Sequence, residues 1–161
     1  MYKTHLSRIE LSLCLCYKID SMKNKIAEKI TQSLSEKPGI RFAYLFGYFL
    51  SRDDFEDIDV GIFLDPQIIP GIDTIRYELE LSIELEDHIK PGKTFKRYIP
   101  IDIKVINDAP ITFRYSVSTS KLLFSKGENT REEFLCRTWQ EYFDFQYILD
   151  TYYKEVIHAG L

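Results

Sequence analysis

The sequence predicts a single α/β (α+β) domain in which a small β-sheet is flanked by helices and followed by one long C-terminal helix. Three observations carry that expectation. A chain of 161 residues with 45% apolar and 14% aromatic content has the size and apolar content of one domain with an ordinary core. Short apolar runs bounded by glycine, proline or polar turns alternate with segments of helical period. From Asn129 to about His158 the chain holds neither glycine nor proline.

Taken in order, residues 1–20 show no clear pattern, so residues 1–21 are read as an N-terminal extension of no assigned role, an upstream start or an added arm, and 22–161 as the domain. Ser21 reads as the N-cap of a first helix that places Ile26, Ile30 and Leu34 on one face and stops at Pro38-Gly39. "IRFAYLF", Ile40 to Phe46, reads as a buried strand, and "DIDVGIFLD", Asp57 to Asp65, as a second that is apolar after an acidic start. Between them lie Gly47 and a polar turn.

Beyond Pro66 and Pro70, a second helix is predicted with Ile72, Ile75, Leu79, Ile83 and Leu85 as its apolar positions, ending before Pro91-Gly92. "YIPIDIKVIN", Tyr98 to Asn107, alternates as a strand with Ile101, Ile103 and Val105 on one side and Asp102 and Lys104 on the other. "PITFRYSVSTS" reads as a short helix or an extended segment, and "KLLFSK" as a brief strand before Gly127. The closing helix would be about 43 Å long, more than the domain needs. Neither internal repeats nor a linker of low complexity point to a second domain.

Composition excludes several function classes. A net charge of -4 with no run of lysines and arginines argues against nucleic-acid binding. Cys14, Cys16 and Cys136 are odd in number and lack CxxC spacing, so neither a disulfide framework nor a zinc site is expected and a reducing cytoplasm fits. The apolar stretch Leu11 to Tyr17 is too short to span a bilayer and is flanked by Glu10 and Asp20, so no membrane association is expected.

Chemistry is suggested by "DID". Asp57 and Asp59 at i and i+2 of a strand share a face, with α-carbons roughly 6.5–7 Å apart. Three readings stand side by side: a solvated strand edge, capping of the preceding turn, or a pair that gathers divalent cations. Two features of context favour the cation. Gly47 ends the preceding strand, where backbone N–H groups can approach an anion. Asp102 is a lone acid in an apolar strand that needs a partner. Three carboxylates can hold two Mg2+ ions about 3.5–4 Å apart for an in-line displacement at phosphorus. Nucleotidyl transfer follows as the reaction class, with Asp102 as general base.

At these residues a resemblance enters. "LFGYFLSRDDFEDIDVGIF" resembles the signature of the DNA polymerase β-like nucleotidyltransferase superfamily, a glycine-serine turn followed at short distance by Asp-x-Asp. "IDIKVINDAPITFRYSV" and "REEFLCRTWQEYFDFQYILDTYY" are similar to the third strand and aromatic C-terminal helix of its minimal nucleotidyltransferase (MNT) antitoxin branch, so the likeness runs from about Met22 to Tyr153. The resemblance implies the polymerase β-like fold with a small mixed sheet, and ATP and Mg2+ as substrate and cofactor. It also implies AMP transfer to a tyrosine of a HEPN-type (HepT-like) ribonuclease toxin. By matching positions, Asp57, Asp59 and Asp102 are the metal-binding and catalytic carboxylates, and Gly47 is the phosphate-turn glycine. Tyr48 stands where the family has serine, and a phenol is too bulky to replace a small hydroxyl on phosphate. Ser51 and Arg52, together with Gly47 and Tyr48, are the expected nucleotide-binding positions.

Plainer readings stand beside these. Arg52 with Asp53-Asp54 also fits a solvated turn, and Lys104 fits an ion pair with an aspartate better than a phosphate contact. His5, His88 and His158 have no ligand setting. The aromatic residues of the last helix exceed what one stripe can bury, which leaves some of them to a partner. Two functions follow for test: an adenylyltransferase antitoxin, or an antitoxin of the same fold, weakened by Tyr48, that neutralises by binding alone. Adenylylation of a small molecule is disfavoured because no second substrate domain is visible.

Overall fold

A computed structural model describes residues 8–158 of the chain, with side chains from 18 to 157. The described residues form a four-stranded sheet in the order β3-β2-β1-β4. Its strands are β1 (Ile40–Phe46), β2 (Ile58–Leu64), β3 (Ile101–Val105) and β4 (Lys121–Ser125). β1 is antiparallel to β2 and β4, while β2 is parallel to β3, so the sheet is mixed as the resemblance implies. The parallel pair is joined by a crossover that contains the helix α3 (Thr74–Ile89) and the short α4 (Pro91–Phe95), the connection that parallel strands require.

The first helix, α1, spans Arg8–Ser35, so Ser21 lies inside it and is not its N-cap. The physical reason is plain in "LSLCLCYKIDS": with neither glycine nor proline there, nothing interrupts the helix. The stretch 8–20 therefore continues the first helix, and residues 1–7, with His5, lie outside the described residues. Ile26, Ile30 and Leu34 are buried as expected, against Leu45, Val60 and the rest of the larger core.

The second helix corrects the predicted face. Asp73 caps α3 by accepting the Arg76 N–H at 3.2 Å, but the residues turned inward are Leu81, Leu85 and Ile89. Ile75, Leu79 and Ile83 are exposed at 78%, 61% and 53%, so only Leu85 of the expected set is buried. What orients the helix is polar. Glu86, Ser82 and Glu78, one turn apart, accept the backbone N–H groups of Ile101, Ile103 and Val105 at 3.0, 3.3 and 2.7 Å. These edge donors of β3 would otherwise lack a partner within the fold.

"PITFRYSVSTS" resolves as a helix, α5 (Ile111–Ser118), and "KLLFSK" as β4. The closing helix α6 runs Glu128–His158, 31 residues and about 46 Å. Its first half packs on the sheet and on α5: Phe134 joins Phe42 and Phe63, Arg131 donates to the Tyr44 hydroxyl at 3.2 Å, and Tyr142 stacks on Tyr115 at 3.7 Å. Its second half leaves Tyr147, Ile148, Tyr152, Tyr153 and Ile157 exposed. Among the described residues, no helix is long and apolar enough to cross a membrane.

Candidate active site

Three segments converge at one end of the sheet. β1 delivers Gly47 just past its last residue, β2 begins with Asp57 immediately before it and Asp59 as its second residue, and β3 carries Asp102 as its second residue. In the registers, Asp59 stands opposite Phe46 on β1 and opposite Asp102 on β3. Paired residues of neighbouring strands present their side chains on the same face. The backbone thus brings Asp59 and Asp102 side by side, with Asp57 two residues upstream of Asp59.

Gly47 is required by this arrangement. It has φ +76° and ψ −166°, a conformation essentially confined to glycine, and a β-carbon built there would stand 2.0 Å from Asp59 Oδ2. The Asp59 carboxylate therefore lies against the bare α-carbon of the turn. α2 (Tyr48–Ser51) starts directly after it, anchored by buried Phe49.

The electrostatics mark Asp59. Burial, then the neighbouring charges of Asp57 and Asp102, push its carboxyl up to about 6, with Lys104 pulling in the opposite direction. Lys104 Nζ lies 3.1 Å from Asp102 Oδ1 and 3.8 Å from Glu78 Oε2. Its ammonium is held above the usual lysine range foremost by the hydrogen bond to Asp102. The ion pair preferred from the sequence is thus the one found.

The other expected positions are arranged differently. Tyr48 is 62% exposed, and the Arg52 guanidinium sits 5.0 Å from its ring centroid. Arg52 is engaged in a two-point pair with Asp54, both contacts at 2.9 Å. Ser51 is exposed at the end of α2. Among the described residues, no three His, Cys, Asp or Glu side chains converge closely enough as placed to hold a metal ion. The residues nevertheless fit one. Three carboxylates on adjoining backbone positions form an all-oxygen donor set, and Asp59, raised first by burial and then by the charges of Asp57 and Asp102, is an acid to which a cation would be a suitable partner.

Two residues that sequence reading passed over hold the loop between α2 and β2. Lys23, buried on α1, donates to the Arg52 carbonyl at 2.7 Å and to Asp53 Oδ1 at 3.2 Å, and lies over the rings of Phe49 and Phe55. Arg97 donates to the Phe55 carbonyl and lies over the Phe55 ring as well. The sequence carried a signal for Lys23, since it lies three residues before Ile26 on the buried stripe of α1, where a cation must find acceptors. A cavity of about 430 Å³ opens beside Phe63 and Asn107, at the opposite ends of β2 and β3, away from these groups.

Residues 28–129, more than half the chain, match the family model described as "Polymerase beta, Nucleotidyltransferase". No curated protein matches the chain. Among solved structures, the fold is similar to a chain of the complex of tri-AMPylated Shewanella oneidensis HEPN toxin with MNT antitoxin. The TM-score is 0.57 and the identity 21%, over 84% of this chain and 98% of that one. A chain of the toxin-antitoxin MntA-HepT gives 0.55 and 21% over 82% and 97%. A toxin-antitoxin with AMP-PNP gives 0.58 and 21% over 81% and 98%. At this identity the likeness is one of fold.

Proposed function

Because the chain belongs to the polymerase β nucleotidyltransferase family, we propose that it transfers AMP from ATP to a tyrosine of a HEPN-type ribonuclease toxin, as a Mg2+-dependent antitoxin of the cytoplasm. The single observation that carries the reading is the Asp59 carboxylate laid against Gly47 and opposite Asp102, an acid beside a turn that has no side chain. The similar folds include an MNT antitoxin in complex with an AMPylated HEPN toxin and a toxin-antitoxin with AMP-PNP, which supports both nucleotide and partner.

Asp57, Asp59 and Asp102 are the residues that would hold Mg2+, which when bound neutralises phosphate charge and lowers the pKa of the acceptor hydroxyl. Gly47 lets the triphosphate approach the backbone of the turn. Asp102 takes the proton of the acceptor hydroxyl as its oxygen bonds to the α-phosphorus; the bond to the bridging oxygen breaks and pyrophosphate leaves. Lys23 and Arg97 fix the loop that delivers Asp57. The exposed aromatic half of α6 suits a helical protein partner, as amphipathic aromatic surface does.

The test is incubation of the protein with labelled ATP, Mg2+ and the HEPN protein encoded beside it. Label on the toxin, lost with Asp57→Asn/Asp59→Asn, supports the reading; an unlabelled toxin that both proteins neutralise equally sinks it. Tyr48 favours a second reading, an antitoxin that acts by binding only, because a large exposed phenol stands at the turn where the family has a serine. In that case Tyr48→Ser gains AMP transfer while the wild type forms the complex without it.

A further inference from the structure

The partners of Lys104 divide between the site and the crossover helix. We propose that Lys104 is a tethered counter-ion of the third carboxylate, held on Asp102 until a divalent cation binds and then passed to Glu78. The inference rests on the reading of the three aspartates as a metal site. Lys104 follows Asp102 by two residues on β3, so both side chains leave the same face of the strand. Its Nζ already lies between two acids, 3.1 Å from Asp102 and 3.8 Å from Glu78. On β2 its register partner is Gly61, and the space above that glycine is filled by Val117 and Ile106, which leaves the lysine to the edge of the sheet where Asp102 and Glu78 lie.

Glu78 is built as a receiver. One of its oxygens accepts the Val105 N–H at 2.7 Å, which fixes the carboxylate, and the other faces Lys104. The Glu78 side chain is largely buried, whereas nearly half of the lysine side chain is exposed and free to swing. A divalent cation on Asp57, Asp59 and Asp102 would repel an ammonium this close to Asp102. Glu78 is the anion within reach. Exchange of one cation for another keeps the acids compensated before and after, and makes Lys104 a competitor of the metal rather than a ligand of the nucleotide.

The experiment measures Mn2+ binding to the nucleotide-free full chain, by the electron paramagnetic resonance signal of unbound Mn2+. Lys104→Met is expected to tighten the Kd about tenfold, the scale of one unit charge acting on a divalent ion near a solvated surface. In an Asp102→Asn background the same substitution changes the Kd less than about twofold, because the pair it breaks is already gone. Glu78→Gln, which keeps an acceptor for Val105 but removes the charge, weakens binding about threefold. Unchanged or weaker Mn2+ binding by Lys104→Met overturns the inference, as does absence of binding in both wild type and variant. So does an unchanged Mn2+ Kd joined to weaker ATP binding, which would make Lys104 a phosphate contact. Since the Mn2+ titration itself contains neither nucleotide nor toxin, and ATP binding is measured separately, a chain that binds Mn2+ as expected but never transfers AMP loses only the transferase reading, and the converse result loses only the counter-ion.

Discussion

Asp65, one residue past the end of β2, accepts the Gln67 backbone N–H at 3.0 Å and pairs with Arg41 at 2.5 Å, whereas Asp59, at the start of the same strand, faces Asp57 and Asp102. The Gln67 hydrogen bond first, and then Arg41, hold the Asp65 carboxyl below the ordinary aspartate range; burial and like charge push Asp59 up to about 6. The two ends of β2 therefore hold the same residue type in opposite conditions. Donors and a cation surround the acid that ties down the chain. At the other end, acids are gathered with Lys104 among them, an arrangement that costs stability.

The largest effects are expected at the acidic end. Asp57→Asn/Asp59→Asn is expected to lower AMP transfer by about 10³-fold, the scale of losing central charge stabilisation, while Asp65→Asn leaves the rate within about twofold. Incorporation of labelled nucleotide into the toxin measures both. Next comes Gly47→Ala, which drives a β-carbon onto the Asp59 carboxylate and forces alanine into a glycine conformation. A loss of about 1–3 kcal/mol is expected in denaturant unfolding, together with weaker ATP binding.

A smaller effect sharpens the contrast because its sign differs between the two aspartates. Asp59→Asn should stabilise the metal-free protein at pH 7.5 by about 1 kcal/mol, discounted for partial exposure, or about 2–4 °C in thermal melts. Asp65→Asn should lower the melting temperature. The pH dependence has the same opposition. Asp59, with its folded pKa raised, favours the fold below its ordinary value of 3.8, and that advantage is lost as pH rises through about 6. Asp65, with its folded pKa lowered, stabilises above 3.8 and loses its contribution as pH falls. Melting curves of wild type and Asp59→Asn between pH 4 and pH 7, in the absence of divalent cations, should therefore diverge as pH rises.

The strands and the last helix were legible because their signals are local: apolar runs between turn residues, and a stretch free of glycine and proline. The acids were legible because their spacing survives folding, and β2 and β3 needed only to be parallel neighbours for Asp59 to meet Asp102. The face of α3 was not legible. Its sequence offers two apolar stripes, Ile75-Leu79-Ile83 and Leu81-Leu85-Ile89, and periodicity alone cannot choose between them. The choice is made by Glu78, Ser82 and Glu86 meeting the N–H groups of β3, a long-range requirement carried by residues that read as surface. The start of α1 was misplaced for a related reason, since a serine looks like a cap whether or not the helix stops there. Arg52 was readable in two ways, as a phosphate contact or as part of a solvated turn, and the sequence alone could not show that it pairs with Asp54 two residues on.

The three hydrogen bonds from β3 to α3 also bear on assembly. An extended peptide, or a copy of this chain with a frayed strand, adds to a sheet by recruiting unsatisfied N–H groups along its rim. On the β3 side those donors are already capped by a helix, so strand polymerisation stops at the third acid and Asp102 keeps its access to solvent.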